Sequence, residues 1–362
     1  MVDRFPTAVR SSAAVLLLAA AVAAQARPAT TPVERRARSL TNQLELAERR
    51  DAAVDELLGL GADAVPALAA RLGDPRPEVV QVVCQVLCAL GTTAQGALPQ
   101  LATAAASRDA AIVRMARMTE LAVRPTGVTT ICEDTVHRVV QLEADGKERE
   151  LAKGVQAWDA EPLPGGHLLL TLYRQHKVVE LDADGNEVWS FDELKNPYDA
   201  DRLLDGNTLI SDGGGQRIIE VDPAGSVVWE FKHPPCNGCF DVDRLPNGNT
   251  LMALYPDVVL EVDRTGEVVW QLKEQSGVID ADRLPNGNTL LTLQQSGAVR
   301  ELNKKGEVVW ELNNLNHPND ADRLPDGNTL VATTDSVIEF KPDRRELKVL
   351  KRGKRVTEVV RR

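Results

Sequence analysis

The sequence D-A-D-R-L-P-N-G-N-T-L occupies residues 280–290 and recurs along the chain. Close copies begin at Asp199, Asp241 and Asp320, and a weaker copy, D-A-E-P-L-P-G-G-H-L-L, begins at Asp159. An Asn-Gly or Asp-Gly pair between apolar segments favours a tight hairpin turn, because both turn residues tolerate positive φ. Each copy therefore predicts two paired strands.

A second predicted hairpin follows each copy and ends in Val-Trp. Its tryptophans are Trp189, Trp229, Trp270 and Trp310, spaced by 40, 41 and 40 residues. Four short strands in every 40 residues are typical of one blade of a β-propeller. We expect the tryptophan of each last strand to pack against the next blade.

The number of blades depends on the ends of the repeat. Gly146 lies 39 residues before Gly185 in a matching turn, so an incomplete copy precedes the first full one. Its three predicted strands are 128–133, 135–143 and 148–152. A tail strand at 355–360 could complete it. We predict six blades, one closed by both chain ends, with five or seven as alternatives; such closure removes exposed sheet edges.

Residues 33–125 have a helical pattern instead. The stretch 61–91, GADAVPALAARLGDPRPEVVQVVCQVLCALG, has apolar residues at helical spacing and breaks at Gly73-Asp74-Pro75. It roughly repeats 30 to 35 residues later. This pattern resembles HEAT-type repeats, whose helices bury one face against their neighbours. The sequence thus predicts a multidomain protein, with a short α-helical HEAT-like region at 33–125 followed by an all-β propeller at 128–362.

The first 26 residues have the pattern of a signal peptide. Arg4 and Arg10 precede the apolar run 13–24, and Ala24-Gln25-Ala26 matches a signal peptidase site. The run is too short to span a bilayer as a helix, and no later segment is expected to do so. The sequence therefore predicts export to the periplasm or the extracellular space.

The net charge of the chain argues against one class of partner, and its cysteine content argues against one class of scaffold. The formal net charge is −11 and the pI is near 5.1, which argues against nucleic acid as a partner, because phosphate contacts need a basic surface. Five cysteines are too few, and odd in number, for a disulfide-built scaffold. Cys236 and Cys239 are spaced for a small disulfide loop, which export would permit.

Both hairpins resemble known propeller repeats. The stretch 299–313, VRELNKKGEVVWELN, resembles the tryptophan-docking repeat of quinoprotein-like (pyrroloquinoline quinone-like) propellers. The first hairpin is similar to the repeats of bacterial arylsulfotransferases, which are six-bladed periplasmic enzymes. That resemblance implies a catalytic histidine just before the repeat aspartate, but the residues there are Trp158, Tyr198, Phe240, Ile279 and Asn319. The nearest histidine is His317, and the chain has no adjacent cysteines of the quinoprotein dehydrogenase kind.

The repeat aspartates are candidate site residues because they are expected to meet along the propeller axis. They are Asp159, Asp199, Asp241, Asp280 and Asp320, and a second acid follows two residues later in each copy, on the same strand face. Converging carboxylates could bind Ca²⁺. The alternative is structural: each aspartate bonds a backbone N–H of the neighbouring blade, or pairs with the arginine of its own repeat.

Three aromatic residues stand directly before a repeat aspartate: Trp158, Tyr198 and Phe240. The residue at this position varies between copies while the rest of the repeat stays constant. Such variation fits either a rim that faces a ligand or core packing that differs between blades. With no catalytic set evident, we predict an exported, non-enzymatic binding or scaffold protein whose partner is a protein or a cell-envelope component. The alternatives are an enzyme acting around His317 and the aspartates, or a propeller stabilised by calcium; no other cofactor is predicted.

Overall fold

The computed structural model describes residues 31–232, 238–352 and 355–361. Within these described residues, six α-helices come first, followed by 24 β-strands. The helices are α1 Pro32–Gln43, α2 Ala47–Leu60, α3 Val65–Arg71, α4 Pro77–Leu90, α5 Leu98–Ala104 and α6 Ala110–Val123. The predicted signal peptide and Cys236 lie outside the described residues, so export and the Cys236–Cys239 disulfide stay predictions.

The helical region contains an internal repeat. Helix α2, a 3₁₀ turn and α3 are followed by α4, a second 3₁₀ turn and α5, and the longer helices end 30 residues apart at Gly61 and Gly91. Both glycines donate their backbone N–H to a carbonyl of the preceding helix. Their φ is positive, a conformation that glycine adopts easily because it has no Cβ. Leu57, Leu87 and Leu101 are fully buried between the helices. The repeat predicted from sequence is thus present, while its HEAT-like identity stays a prediction.

One helical segment has the length and apolar character of a membrane span. Within Pro77–Ala104 an 18-residue window has a mean hydropathy of 1.4, and half of that window is buried inside the protein. The structure folds it as α4, a 3₁₀ turn and α5, which supply much of the core of the helical region. Core helices of soluble proteins meet the same criterion.

The strands form six four-stranded antiparallel sheets. In chain order they are β1 Thr129–Glu133, β2 Arg138–Leu142, β3 Glu148–Lys153, β4 Asp159–Pro162, β5 Leu168–Leu172, β6 Lys177–Leu181, β7 Glu187–Phe191, β8 Pro197–Arg202, β9 Thr208–Asp212, β10 Arg217–Val221, β11 Val227–Lys232, β12 Cys239–Arg244, β13 Thr250–Leu254, β14 Val258–Val262, β15 Val268–Leu272, β16 Val278–Arg283, β17 Thr289–Leu293, β18 Ala298–Leu302, β19 Val308–Leu312, β20 Pro318–Arg323, β21 Thr329–Thr333, β22 Ser336–Phe340, β23 Glu346–Arg352 and β24 Val356–Arg361. We number the sheets as blades: blade 1 is β24-β1-β2-β3, and blades 2 to 6 each take the next four strands from β4 to β23. The prediction of a six-bladed propeller is confirmed.

Blade 1 closes the ring with strands from both ends of the domain. β24 pairs antiparallel with β1, so that Ile131 lies opposite Val359, and both are fully buried. The N–H of Val359 also donates to the Asp320 carboxylate of blade 6 at 2.8 Å. The predicted closure by the C-terminal strand is therefore confirmed. β24 also supplies hydrogen-bond partners for the backbone groups at the inner edge of β1.

Neighbouring blades are joined by a recurring trio of side chains. At the joint between blades 4 and 5, Arg283 pairs with Glu261 at 2.8 Å, and its guanidinium lies 4.4 Å from the Trp270 ring centroid. Trp270 also donates its indole N–H to the Lys304 carbonyl of blade 5 at 3.3 Å. We call this trio the Arg–Glu–Trp latch. Equivalent latches are Arg202/Glu180/Trp189, Arg244/Glu220/Trp229 and Arg323/Glu301/Trp310.

The latch confirms that each tryptophan packs against the next blade. It also corrects one alternative for the repeat arginines. Each pairs with a glutamate on the third strand of the preceding blade rather than with the aspartate of its own repeat. The strand pleat explains this, because adjacent residues of an inner strand point to opposite faces of the sheet.

The helical region lies over one end of the propeller axis. Arg114 of α6 donates to the Leu204 carbonyl of blade 3 at 3.1 Å, and Leu204 packs on the helical core. On another side, Asp55 of α2 pairs with Lys304 of blade 5 at 3.0 Å. We call this the covered end of the axis, and the opposite end the open end.

Candidate functional site

A ring of carboxyl groups surrounds the axis near its middle. We call it the first ring; its members are Asp159, Asp199, Asp241, Asp280, Asp320 and Glu358, one from the inner strand of each blade. Glu358 lies on the closing strand and has no aspartate motif around it, so no sequence pattern indicated it.

First-ring carboxylates bind each neighbouring blade through its backbone. The Asp280 carboxylate accepts the Ala321 N–H at 3.1 Å and the Thr292 hydroxyl at 2.7 Å. The same inter-blade bond joins Asp159 to Ala200, Asp199 to Val242, Asp241 to Ala281 and Asp320 to Val359, at 3.4, 2.9, 3.0 and 2.8 Å. At five joints, therefore, a repeat aspartate bonds a backbone N–H of the neighbouring blade, which is the structural alternative stated for these residues.

Burial raises the pKa of the first-ring acids. Loss of water contact, with the nearby Glu161 charge, raises the pKa of Asp159 to about 7, and burial raises the pKa of Asp280 to about 7. The pKa values of Asp199, Asp241, Asp320 and Glu358 lie well above their usual range, first through burial and then through repulsion by the other carboxylates. The ring therefore holds protons near neutral pH instead of six full charges.

Metal binding has little geometric support in this ring. Among residues 31–232, 238–352 and 355–361, no group of three or more His, Cys, Asp or Glu side chains is arranged to hold a metal ion. The space enclosed at the ring is about 20 Å³, about enough for one water molecule. One carboxylate oxygen of each first-ring aspartate accepts a backbone N–H of the next blade.

A second ring of acids faces the covered end. Its members are Glu161, Asp201, Asp243, Asp282 and Asp322, two residues beyond the first ring on the same strand faces. They line a cavity of about 800 Å³ between the propeller and the helical region. In blade 1 the corresponding position is Val360, which also lines the cavity. The cavity itself could not be predicted, because no motif in the sequence indicates where the helices dock on the propeller.

Aromatic side chains gather at the open end of the axis. Trp158, Tyr198 and Phe240 of the inner strands contact each other, with ring centroids 4.3 to 5.6 Å apart. Tyr173 adds an edge contact to Trp158 at 5.4 Å, and Tyr255 adds one to Phe240 at 5.6 Å. All five rings are half-buried. We call these five residues the aromatic patch.

Neighbouring residues hold the patch in place. The Arg355 guanidinium lies 5.0 Å from the Trp158 ring centroid, a cation–π contact, and it also pairs with the buried Asp134 at 3.5 Å. Gly213 lies so close beneath Tyr198 that a Cβ there would come within 2.8 Å of the ring. Packing from several blades therefore fixes the position of the aromatic patch on the rim.

The structure brings together most of the candidates that the sequence singled out. The five repeat aspartates and the three inner-strand aromatics meet at one narrow passage on the axis, together with Ile279 and Asn319. His317 is exposed on the rim with positive φ, lies next to Asn316 and does not line the passage. Sequence reasoning missed Tyr173 and Tyr255, because they lie in loops outside the repeated frame.

Comparisons with known proteins agree on the propeller. A family model described as outer membrane protein assembly factor BamB matches residues 174–338. A protein of unknown function from Bacteroides caccae shares 18% identity at a TM-score of 0.54, over 64% of this chain and 97% of that one. The WD40 propeller domain of Doa1 shares 13% identity at a TM-score of 0.50, over 59% and 74%. Virginiamycin B lyase from Staphylococcus aureus shares 11% identity at a TM-score of 0.49, over 62% and 80%.

A search of curated proteins found no match. The solved structures are too distant in sequence to indicate more than a shared fold. The chain is therefore a six-bladed β-propeller protein with an N-terminal helical region, and its blades are similar to those of BamB-like assembly factors.

Proposed function

We propose that this protein is an exported, non-enzymatic scaffold of the cell envelope that binds a partner protein at the open end of its propeller axis. The aromatic patch is the observation that carries this proposal. Trp158, Tyr198 and the adjoining Arg355 are of the residue types that dominate binding energy in protein interfaces. Half-buried rings in a fixed arrangement lose little conformational entropy when a partner covers them.

The shape of the axis supports docking over catalysis. The passage below the patch holds about 20 Å³, far below the volume of a typical small-molecule site. The side chains around it are aromatic rings and carboxyl groups already bonded to backbone donors. A catalytic histidine of the arylsulfotransferase kind would need to stand where Trp158, Tyr198 and Phe240 stand.

The envelope location draws on two further observations. The N-terminal 26 residues have the pattern of a signal peptide, and the blades are similar to a family described as outer membrane assembly factors. We also propose that the helical region is a HEAT-like repeat, since the units beginning at α2 and α4 repeat helix, 3₁₀ turn and short helix. Helical repeats and propellers both serve as interaction surfaces.

Site-specific photo-crosslinking in the producing cell tests the proposal. A photoreactive phenylalanine analogue would replace Tyr255 in the aromatic patch and, as a matched control, Val269, which is 52% exposed on an outer strand. We expect a discrete protein adduct from position 255 and none from 269. Adducts from 269 alone, no adduct from either position, or turnover of an aryl sulfate by the purified protein would overturn the proposal.

A further inference from the structure

The cavity at the covered end has two chemically different walls. Its roof comes from α4 and α6 and contains the apolar side chains Val82, Ala89, Met118 and Leu121. Glu78, Gln81 and Gln85 of α4 also line it. Its floor is the second ring of acids from five blades. At about 800 Å³ the cavity falls within the range of small-molecule sites, which run from roughly 300 to 1,000 Å³.

Two acids of the floor have no protein partner to neutralise them. Within the described residues, the carboxylates of Asp243 and Asp282 make no hydrogen bond or ion pair. Both side chains are partly buried where they face the cavity, and burial raises the pKa of Asp243 to about 6. The pKa of Asp282 lies well above its usual range, first through burial and then through repulsion from Asp280 and other carboxylates. An unpaired buried carboxylate is destabilising, and a bound cation would relieve that cost.

The arginines around the cavity do not supply that cation. Six of them line it: Arg50, Arg202, Arg244, Arg264, Arg283 and Arg361. Arg202, Arg244 and Arg283 are latch residues, each paired with a third-strand glutamate and donating to a glycine carbonyl. Arg264 pairs with Glu220 and Arg361 with Glu339, while Arg50 donates to the Leu44 carbonyl. Five of the six arginines therefore pair with glutamates outside the second ring, and the guanidinium of Arg50 donates to a backbone carbonyl, so none of them is paired with Asp243 or Asp282.

We propose that this cavity binds an amphipathic organic cation, a protonated amine that carries a compact apolar body. The ammonium group would lie at the floor between Asp243 and Asp282, and the apolar body would contact Met118 and Leu121 in the roof. A bare metal ion would leave the apolar roof unfilled, and a neutral apolar molecule would leave the acids unpaired. An anion would face the second ring directly and be repelled.

Three probes of one shape separate these cases. They are 1-adamantylammonium, 1-adamantanol and 1-adamantanecarboxylate, whose rigid apolar body is identical and whose head group is cationic, neutral or anionic. Isothermal titration calorimetry with the purified protein at pH 8 should give the ammonium compound a dissociation constant at least about tenfold lower than that of the alcohol, because desolvated charge pairs contribute strongly. The carboxylate should show no binding.

Variants locate the binding. Asp282→Asn should weaken ammonium binding by about tenfold, since it removes one of the two unpaired charges. Leu121→Trp should abolish binding of all three probes by filling the roof, and it serves as a second variant if Asp282→Asn folds poorly. Tyr255→Ala, in the aromatic patch, should leave binding unchanged and so keeps this test separate from the proposed docking surface.

Four outcomes would overturn the proposal. The first is absence of binding by 1-adamantylammonium at millimolar concentration. The second is equal binding of all three head groups. The third is ammonium binding that survives both Asp282→Asn and Leu121→Trp. The fourth is loss of binding in Tyr255→Ala alone, which would place the amine at the aromatic patch instead.

Discussion

The joint between blades 4 and 5 and the joint between blades 1 and 2 are built differently. The first has a complete Arg–Glu–Trp latch of Arg283, Glu261 and Trp270. At the second, Pro162 stands in place of the arginine and Gln141 in place of the glutamate, and β3 contains no tryptophan. The same geometric joint therefore forms with or without the latch.

Apolar packing joins blades 1 and 2 instead. Cys132, Ala157 and Leu170 are buried in one shared cluster, and the Cys132 thiol donates to the Ala157 carbonyl at 3.3 Å. Gln156 adds a hydrogen bond to the Asp134 carboxylate at 3.0 Å. The comparison shows that the latch residues recur because they join one repeat to the next. Their repetition therefore indicates a role in the architecture of the propeller. We expect functional information at positions that vary within the frame, such as those of Trp158, Tyr198 and Phe240.

Removing β24 should break the ring at blade 1 and give the largest effect. A chain that ends at Arg352 exposes the inner edge of β1 and loses the burial of Val356 and Val359, each fully buried. Full burial of a valine contributes about 1.5 kcal/mol or more, and the loss of an entire strand adds its hydrogen bonds. We expect the midpoint of thermal unfolding, followed by circular dichroism, to fall by at least about 10 °C.

The matched control for this truncation is a full-length chain with Val359→Ala. It keeps the strand and loses only two methyl groups, so its midpoint should fall by much less. A truncated chain that melts cooperatively at the temperature of the intact protein would show that blade 1 closes without β24.

Breaking one latch should have the next largest effect. Glu261→Gln leaves the Arg283 guanidinium largely buried without its carboxylate and sets an amide against the Asn249 amide group, which now donates to Glu261 at 2.7 Å. Removing one partner of a buried ion pair costs about 3 kcal/mol. Urea denaturation should report this loss in the free energy of unfolding.

The corresponding substitution at the unlatched joint is Gln141→Ala. Because Gln141 makes no ion pair across its joint, we expect a change within about 0.5 kcal/mol. Equal losses in the two variants would contradict the distinction between the joints.

The sequence predicted the repeated blades and the closing strand, but it missed Glu358 and the cavity at the covered end. The Asn-Gly and Asp-Gly turns and the spacing of Val-Trp specify the blade locally, so the six-bladed ring followed from counting. Glu358 escaped notice because the closing strand, V-T-E-V-V-R, keeps only the acid of the motif. The cavity at the covered end depends on contacts such as Arg114 with Leu204, which are 90 residues apart and have no repeat pattern.

The first ring of carboxyl groups is common to latched and unlatched joints, and its ionisation predicts an unusual pH dependence. The pKa of Asp280 is raised to about 7, so between about pH 4 and pH 7 the folded protein binds protons there that the unfolded chain has released. Stability therefore falls as pH rises through this window. Asp159, with a pKa of about 7, acts in the same direction.

We expect the midpoint of thermal unfolding to be higher at pH 5 than at pH 8, and the difference to shrink in Asp280→Asn. The asparagine amide oxygen can still accept the Ala321 N–H and the Thr292 hydroxyl, so the variant keeps the inter-blade bond while losing the buried charge. A midpoint that rises from pH 5 to pH 8 in the wild-type protein would mean that the ring is ionised at little cost. The inter-blade bonds would then be charge-assisted at the five joints where an aspartate makes them, and the latch would add to joints already held by these carboxylates.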